Sequence, residues 1–413
     1  MPLPARRLRI LLCWGYHRSG WVAPFEQLNG EFDFHYLFHL SEEEEECSHT
    51  NQPRHYWNDF RAAQDILDEI KPDRLVFMSL SGLRPIALNM AARRKGIPTF
   101  VVQHGYFRSL ENYLALPAVP PKTVAETKTT SQASSASEAV RFMIRSNFAK
   151  EPIDSSRAIA MLLLSRRTGY YRSQLRFRFR GRMPDRYITY SEETSEIHRQ
   201  LDGASGSLII PVGIPEFDPI FRLLASSKRD RGKNILLIDS PNAENRYGVL
   251  TTSIEHKARF LHDLSQRLEK RGYRLVVKLH PETYEAAWLP SLENIRYVRD
   301  HDVGSLIREA HACVGFDSTL MIPAIIARPT MLFELGESTM ASYARESGVA
   351  IVVRGLECSN EQLDALLDMK ERPAELIEKF TRCFAHCADG NATKRLANTL
   401  RETRFDRCVG DIE

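Results

Sequence analysis

An α/β architecture of two parallel-sheet domains is the fold this sequence predicts, on three patterns. Short apolar runs, such as 8–14, 74–79, 234–239 and 273–279, alternate with segments of helical periodicity. Such alternation marks a parallel sheet with its crossover helices packed on both faces. Several runs stop abruptly, as at Gln103-His104-Gly105 and His280-Pro281. Those stops mark the carboxyl edge, where open α/β sheets bind ligands. Third, Ser226-Ser227-Lys228-Arg229-Asp230-Arg231-Gly232-Lys233 has the composition of a linker. It divides the chain into 1–225 and 226–413, two Rossmann-like domains with a cleft between them. The segment 391–403 reads as a last helix able to pack back on the first domain.

In the first domain Leu8 to Trp14 is the opening strand. It is followed by the glycine-containing loop Trp14-Gly15-Tyr16-His17-Arg18-Ser19-Gly20, where His17 or Arg18 could touch substrate. Phe32 to Leu40 is a second strand, and the acidic run Glu42 to Glu46 a solvated segment. Helix 57–70 ends at Lys71-Pro72, strand 74–79 follows, and helix 84–95 stops at Gly96. Thr99 to Gln103 is the fourth strand, and it delivers His104 to the carboxyl edge. Pro117 to Ser137, rich in Pro, Thr, Ser and Ala, reads as an exposed loop before helices 138–149 and 154–165.

Arg166 to Arg186 holds eight arginines interleaved with Tyr170, Tyr171, Phe177 and Phe179, with Asp185 the one acid. Arginines without acidic partners belong on a solvent-facing surface. Mixed with aromatic rings they suit an anionic membrane surface or an anionic acceptor. A solvated basic helix packed through its rings is the plain alternative. Strand 187–192, helix 194–201 and the run 208–218 complete the domain.

The second domain opens with strand 234–239 and helix 253–271. Its clearest chemistry lies in 273–336. The strand Tyr273 to Leu279 ends at His280, because Pro281 has no N–H and biases its neighbour towards extended backbone. A strand at 294–298 and a helix at 303–310 lead to Ala312-Cys313-Val314-Gly315-Phe316-Asp317-Ser318-Thr319 and a helix at 320–327. Asp317, Ser318 and Thr319 are good N-cap residues, and free N–H groups at a helix start attract anions. His280 could meet the same anion as cation or acid, with Lys278 adding charge. An ordinary strand-end histidine and an ordinary capping pair are the alternative.

These motifs carry a resemblance. Lys278-Leu279-His280-Pro281, then Gly315-Phe316-Asp317-Ser318-Thr319, then Ala327-Arg328-Pro329-Thr330 resemble the donor half of GT-B glycosyltransferases. They are most similar to the bacterial polysialyltransferase and CDP-glycerol glycerophosphotransferase group, which builds capsule and teichoic-acid polymers. The likeness spans about residues 185–335, including Gly213-x-Pro215-x-x-Asp218 at the end of the first domain. It implies that His280-Pro281 and Ser318-Thr319 hold nucleotide phosphates, with Lys278 and Asp317 beside them, and that Glu337 binds a ribose hydroxyl. It further implies that His104 is the catalytic base or an acceptor ligand, although Gln103 stands where those families usually have tryptophan; a structural role at the strand end is the alternative.

Composition bounds the rest. With 413 residues, 43 % hydrophobic and 26 % charged, the chain has the make-up of a globular protein. No stretch supplies the roughly 20 apolar residues needed to cross a bilayer. The arginine-bearing N-terminus reads as a strand rather than a secretory signal. Seven scattered cysteines argue against a disulfide framework and for a reducing cytosol. Cys383, His386 and Cys387 could share a helix face but lack a nearby partner cluster, so no metal is expected. A net charge of +3 gives no ground for nucleic-acid binding.

The expected activity is metal-independent transfer of a sugar or polyol phosphate from a CMP- or CDP-linked donor to a bacterial surface glycan or lipid-linked acceptor, without a cofactor. The expected location is the cytoplasm, with a peripheral position on the inner membrane where Arg166–Arg186 meets lipid. The rival readings are a nucleotide-sugar epimerase of the same fold and a non-catalytic glycan- or membrane-binding partner in polymer export.

Overall fold

The computed structural model describes residues 6–13, 19–38, 51–105, 110–115, 129–226, 232–243, 251–284, 286–299, 302–370 and 372–402. The chain divides into two compact units: residues 1–216 with 391–413, and residues 217–390. The division falls after Glu216 rather than at 225, so the helix Asp218–Ser226 belongs to the second unit.

The first unit is built on seven strands, β1 (Leu8–Cys13), β2 (Phe32–Phe38), β3 (Arg54–Tyr56), β4 (Arg74–Phe77), β5 (Thr99–Val102), β6 (Arg186–Thr189) and β7 (Ile209–Pro211). They pair in the order β3-β2-β1-β4-β5-β6-β7, every pair parallel. Side chains alternate across a strand, so a sheet covered on both faces needs apolar residues at every position. β1 shows this: Leu11 and Cys13 enter one core with Leu75, Phe77 and Tyr187, while Ile10 and Leu12 enter the other with Phe34, Val76 and Ile188. The second core is closed by the helix Ala392–Arg401 through Leu396, Ala397 and Leu400. Arg395 Nε donates to the Val212 carbonyl at 2.7 Å, and the Arg401 guanidinium lies 5.4 Å over the Phe32 ring.

The second unit carries β8 (Asn234–Ile238), β9 (Arg274–Lys278), β10 (Ile295–Val298), β11 (Ala310–Gly315), β12 (Thr330–Glu334) and β13 (Ile351–Arg354). Their order is β10-β9-β8-β11-β12-β13, again all parallel. Counted within the unit this is 3-2-1-4-5-6, the dinucleotide-binding order, in which the chain reverses direction between β8 and β11. Ile235, Leu237, Leu275, Val277, Val314, Phe333 and Val353 pack on Phe260, Leu261 and Leu264 of the helix Ile254–Glu269.

Several sequence expectations need correction. Of the loop expected over 117–137, residues 117–128 lie outside the described residues, and a helix runs from Thr129 to Met143. His17, Arg18, the run 42–46 and linker positions 227–231 also lie outside the described residues. Cys383, His386 and Cys387 do not share a helix: the helix Ala374–Ala385 ends where His386 turns to φ +59°.

The arginine segment is no continuous basic helix. It comprises the end of the helix Pro152–Thr168, the helix Tyr170–Arg176, a single turn at Arg180–Arg182 and the start of β6. Arg166, Arg167, Arg172, Arg176 and Arg178 are exposed, but Arg180 and Arg186 are half-buried and Arg182 is only 2 % exposed. Phe179 is buried and Phe177 packs against the same core. The rings serve the fold, because apolar burial outweighs any outward position they could take.

Candidate functional site

The carboxyl edge of the second sheet is assembled in one row. Lys278 stands beside Ile238, Ile238 beside Gly315, and Gly315 beside Leu332. β8 thus lies between β9 and β11, so His280 and Ser318-Thr319 flank its end rather than occupying neighbouring strands. That end is Asp239, at the reversal point where such sheets leave a crevice.

Asp239 is buried, paired with one cation and hydrogen-bonded by two donors. The Lys257 ammonium stands 2.9 Å from one oxygen; the other accepts the Thr283 hydroxyl at 2.8 Å and the His280 backbone N–H at 3.2 Å. Lys257, 1 % exposed, also donates to the Ser240 carbonyl at 2.8 Å and lies 5.4 Å over the Trp288 ring. A buried charge persists only when paired and hydrogen-bonded. Here the pairing joins the loops after β8 and β9 to the helix between those strands. The sequence reading missed both residues, although Asp239 ends its apolar run just as His280 ends the next.

His280-Pro281 opens a short turn, Pro281–Thr283, in which the His280 carbonyl accepts the Thr283 N–H at 2.8 Å and lies 2.8 Å from the Thr283 hydroxyl, whose one proton is shared with Asp239. Lys278 directs its ammonium to the Leu279 carbonyl at 3.0 Å and over the Tyr284 ring at 5.7 Å, so its charge lies beside that turn.

At the end of β11 a Cβ on Gly315 would lie 2.5 Å from the Met321 sulfur and 3.0 Å from the Ile238 carbonyl oxygen, so a larger residue would have to displace Met321 and press on the backbone of β8. Phe316 is buried, Asp317 exposed, and Ser318 and Thr319 half-buried. None of the three polar residues is the helix cap. The helix Met321–Ala327 starts later, after a turn in which the Ser318 and Thr319 carbonyls accept from Met321 and Ile322. Pro323, which has no N–H to contribute, fits the first turn of a helix placed there. Glu337 is exposed in the loop after β12, next to Ser338, whose hydroxyl caps the helix Thr339–Ser347.

In the first unit His104 lies two residues past β5. Its position is set by Gln103, whose side-chain oxygen accepts the Tyr190 N–H at 2.8 Å and the Thr194 hydroxyl at 3.1 Å, while its amide donates to the Gly105 carbonyl at 3.1 Å. Gly105 has φ +66° and donates its N–H to the Tyr190 hydroxyl at 2.9 Å. The glutamine thus ties the turn after β5 to the turn after β6.

A cavity of about 460 Å³ opens beside His104, lined among others by Tyr113, Tyr170, Tyr171, His198 and Asp202. Asp202 accepts the Tyr187 hydroxyl at 2.9 Å, pairs with Arg182 at 2.6 Å, and lies 3.6 Å from His198 Nδ1. Burial would raise its carboxyl, but the His198 hydrogen bond and the Arg182 charge prevail and hold it below the ordinary value. Burial depresses the His104 imidazole to about 4, helped by the charge of His198 and opposed by a backbone hydrogen bond at Val102. His104 is therefore neutral at physiological pH. No sequence pattern linked Arg182 to Asp202; their pairing is purely tertiary.

No family model and no curated protein matches the sequence. Solved structures do. The kitacinnamycin glycotransferase aligns over 96 % of this chain and 98 % of its own at 13 % identity, with a TM-score of 0.54. The glycosyltransferase SnogD of Streptomyces nogalater aligns over 96 % and 99 % at 13 % identity and 0.52. The wall teichoic acid polymerase TagF aligns over 95 % and 88 % at 14 % identity and 0.51. The fold is GT-B. At these identities the GT-B likeness describes the backbone; the chemistry has to be argued from the residues above.

Proposed function

We propose that this protein is a glycosyltransferase that moves a sugar, or a polyol phosphate, from a nucleotide-activated donor to a bacterial surface glycan or glycolipid. The observation that carries this reading is the reversal point of the second sheet, where Asp239, His280 and the Gly315–Thr319 turn share one carboxyl edge in a GT-B fold. His280, Ser318 and Thr319 meet the nucleotide phosphates, with Lys278, Pro281 and Asp317 around them and Glu337 on the ribose. The acceptor hydroxyl gives its proton to His104 as its oxygen bonds the reacting centre. The bond to the nucleotide phosphate breaks, and its electron pair leaves with that phosphate. His280 and the two hydroxyls stabilise the departing charge; this assignment gives a metal no part. The tyrosine-lined cavity beside His104 suits a sugar ring, which offers an apolar face and hydroxyl edges.

A CMP- or CDP-linked donor is the preferred reading, supported by the motif likeness and by a TagF structure of the same fold soaked with CDPG. Thermal-shift measurements with CMP, CDP, UDP and GDP test it. A cytidine nucleotide is expected to give the largest stabilisation. No shift with any of the four would remove the donor site.

The base assignment has its own signature in pH. Protonation removes the imidazole lone pair, so activity falls as pH drops through the pKa of His104. The acid limb of kcat/KM is expected at about pH 4 instead of 6.5. A limb near 6.5 that persists in His104→Ala would assign the base to another group.

A further inference from the structure

Exposed apolar side chains in this protein are concentrated in one place. Ile153 is 68 % exposed, Leu163 56 %, Ile144 45 % and Phe148 43 %; among the described residues the only other large exposed apolar side chain is Ile254. Single surface hydrophobics are ordinary, whereas four within twenty residues mark an interaction surface. They belong to the helix Pro152–Thr168 and to the π-helical turn Ile144–Phe148 before it. At about 100° per residue, Ile153, Arg157, Ala160, Leu164 and Arg167 form one stripe with Leu163 beside it, opposite buried Ser155, Ala158 and Met161. Ala149 and Lys150, between Phe148 and that helix, are exposed as well.

Along residues 139–176 the exposed charged side chains are all basic; just before them Glu138 is exposed and pairs with Arg84 at 3.6 Å. Arg141, Arg145, Lys150, Arg157, Arg166, Arg167, Arg172 and Arg176 are all exposed. The two acids of residues 139–176 are both engaged: Glu151 pairs with Arg94 at 2.7 Å, and Asp154 accepts the Gly181 N–H at 3.1 Å with Arg157 3.6 Å away.

We propose that this surface docks on an anionic phospholipid bilayer. Lipid headgroups attract the cations while the acyl boundary takes the four apolar side chains. A nucleic acid would use the cations but has no place for isoleucine and leucine. A protein partner of ordinary composition would call for a patch centre depleted of charge. The contact differs from the one expected over 166–186: there Phe177 and Phe179 pack into the core and Tyr170 and Tyr171 line the cavity beside His104, and isoleucine, phenylalanine and leucine of the preceding helices take their place. It goes beyond the proposed transferase reading and does not depend on it.

Vesicle co-sedimentation of the full chain tests the proposal, using phosphatidylcholine with and without phosphatidylglycerol. The wild type is expected to bind the anionic vesicles and not the neutral ones. Arg145→Gln, Arg157→Gln and Arg167→Gln together should weaken binding about 100-fold, since each cation near an anionic surface contributes roughly fivefold. Phe148→Ser, Ile153→Ser and Leu163→Ser together should weaken it at least about tenfold at low salt, where charge attraction persists. If either triple variant unfolds, Phe148→Ser and Arg157→Gln singly read the same two contributions in the same direction. Absence of wild-type binding to anionic vesicles at low salt would overturn the proposal. So would full binding by the apolar variant, which would make the surface a reader of polyanions alone.

Discussion

Asp239→Ala is expected to destabilise the second unit by about 3–5 kcal/mol, because it leaves the Lys257 ammonium buried without its counter-charge. The loss has a second consequence, since the same carboxylate accepts the His280 N–H and the Thr283 hydroxyl. The turn bearing His280 should therefore loosen even where the unit remains folded. Urea unfolding followed by tryptophan fluorescence reads the effect, with Trp288 stacked over Lys257 as a local reporter. Pairing Asp239→Leu with Lys257→Met should recover most of the stability, because two apolar groups replace two charges that needed each other. A loss below about 1 kcal/mol in Asp239→Ala would show that water reaches the pair.

His280→Ala is expected to reduce transfer by about 10²–10³ with the fold intact, the cost of removing one donor from a developing phosphate charge. Its ring is not part of the core, while its backbone contacts to Asp239 and Thr283 survive the substitution. Ser318→Ala should weaken nucleotide binding about tenfold, as expected for one hydrogen bond to a charged group. Full activity in His280→Ala, measured as nucleotide release with donor and acceptor present, would remove this residue from the mechanism.

Why some of this was legible in the sequence and some not follows from the range of the interactions. Strands buried on both faces must be apolar at consecutive positions, so β1, β4, β8 and β9 show as unbroken runs, and their polar ends mark the edge that carries His104 and His280. β3 escaped because it is three half-buried residues at the sheet edge. The helix from Thr129 escaped because its serines and threonines favour loops locally and only packing selects the helix. Arg182 looked like its neighbours in a basic segment; its pairing with Asp202 depends on the turn at 180–182 and the helix Glu196–Asp202 meeting in space. Asp239 was visible as an acid closing a strand, but its role required Lys257, eighteen residues on, to be seen beneath it. The cap expected at Ser318-Thr319 failed by a few residues, a distance that sequence propensities do not resolve.

The central claim is that a nucleotide sits on the carboxyl edge of the second sheet. Hydrogen exchange with and without the nucleotide giving the largest thermal shift tests it most directly. The expected result is slowed exchange in 239–243, 279–284 and 315–320, with little change across β10 and β13, which lie at the sheet's margins. Tight binding with slowed exchange confined to residues 79–81, 104–105 and 197–202, around the cavity beside His104, would contradict it.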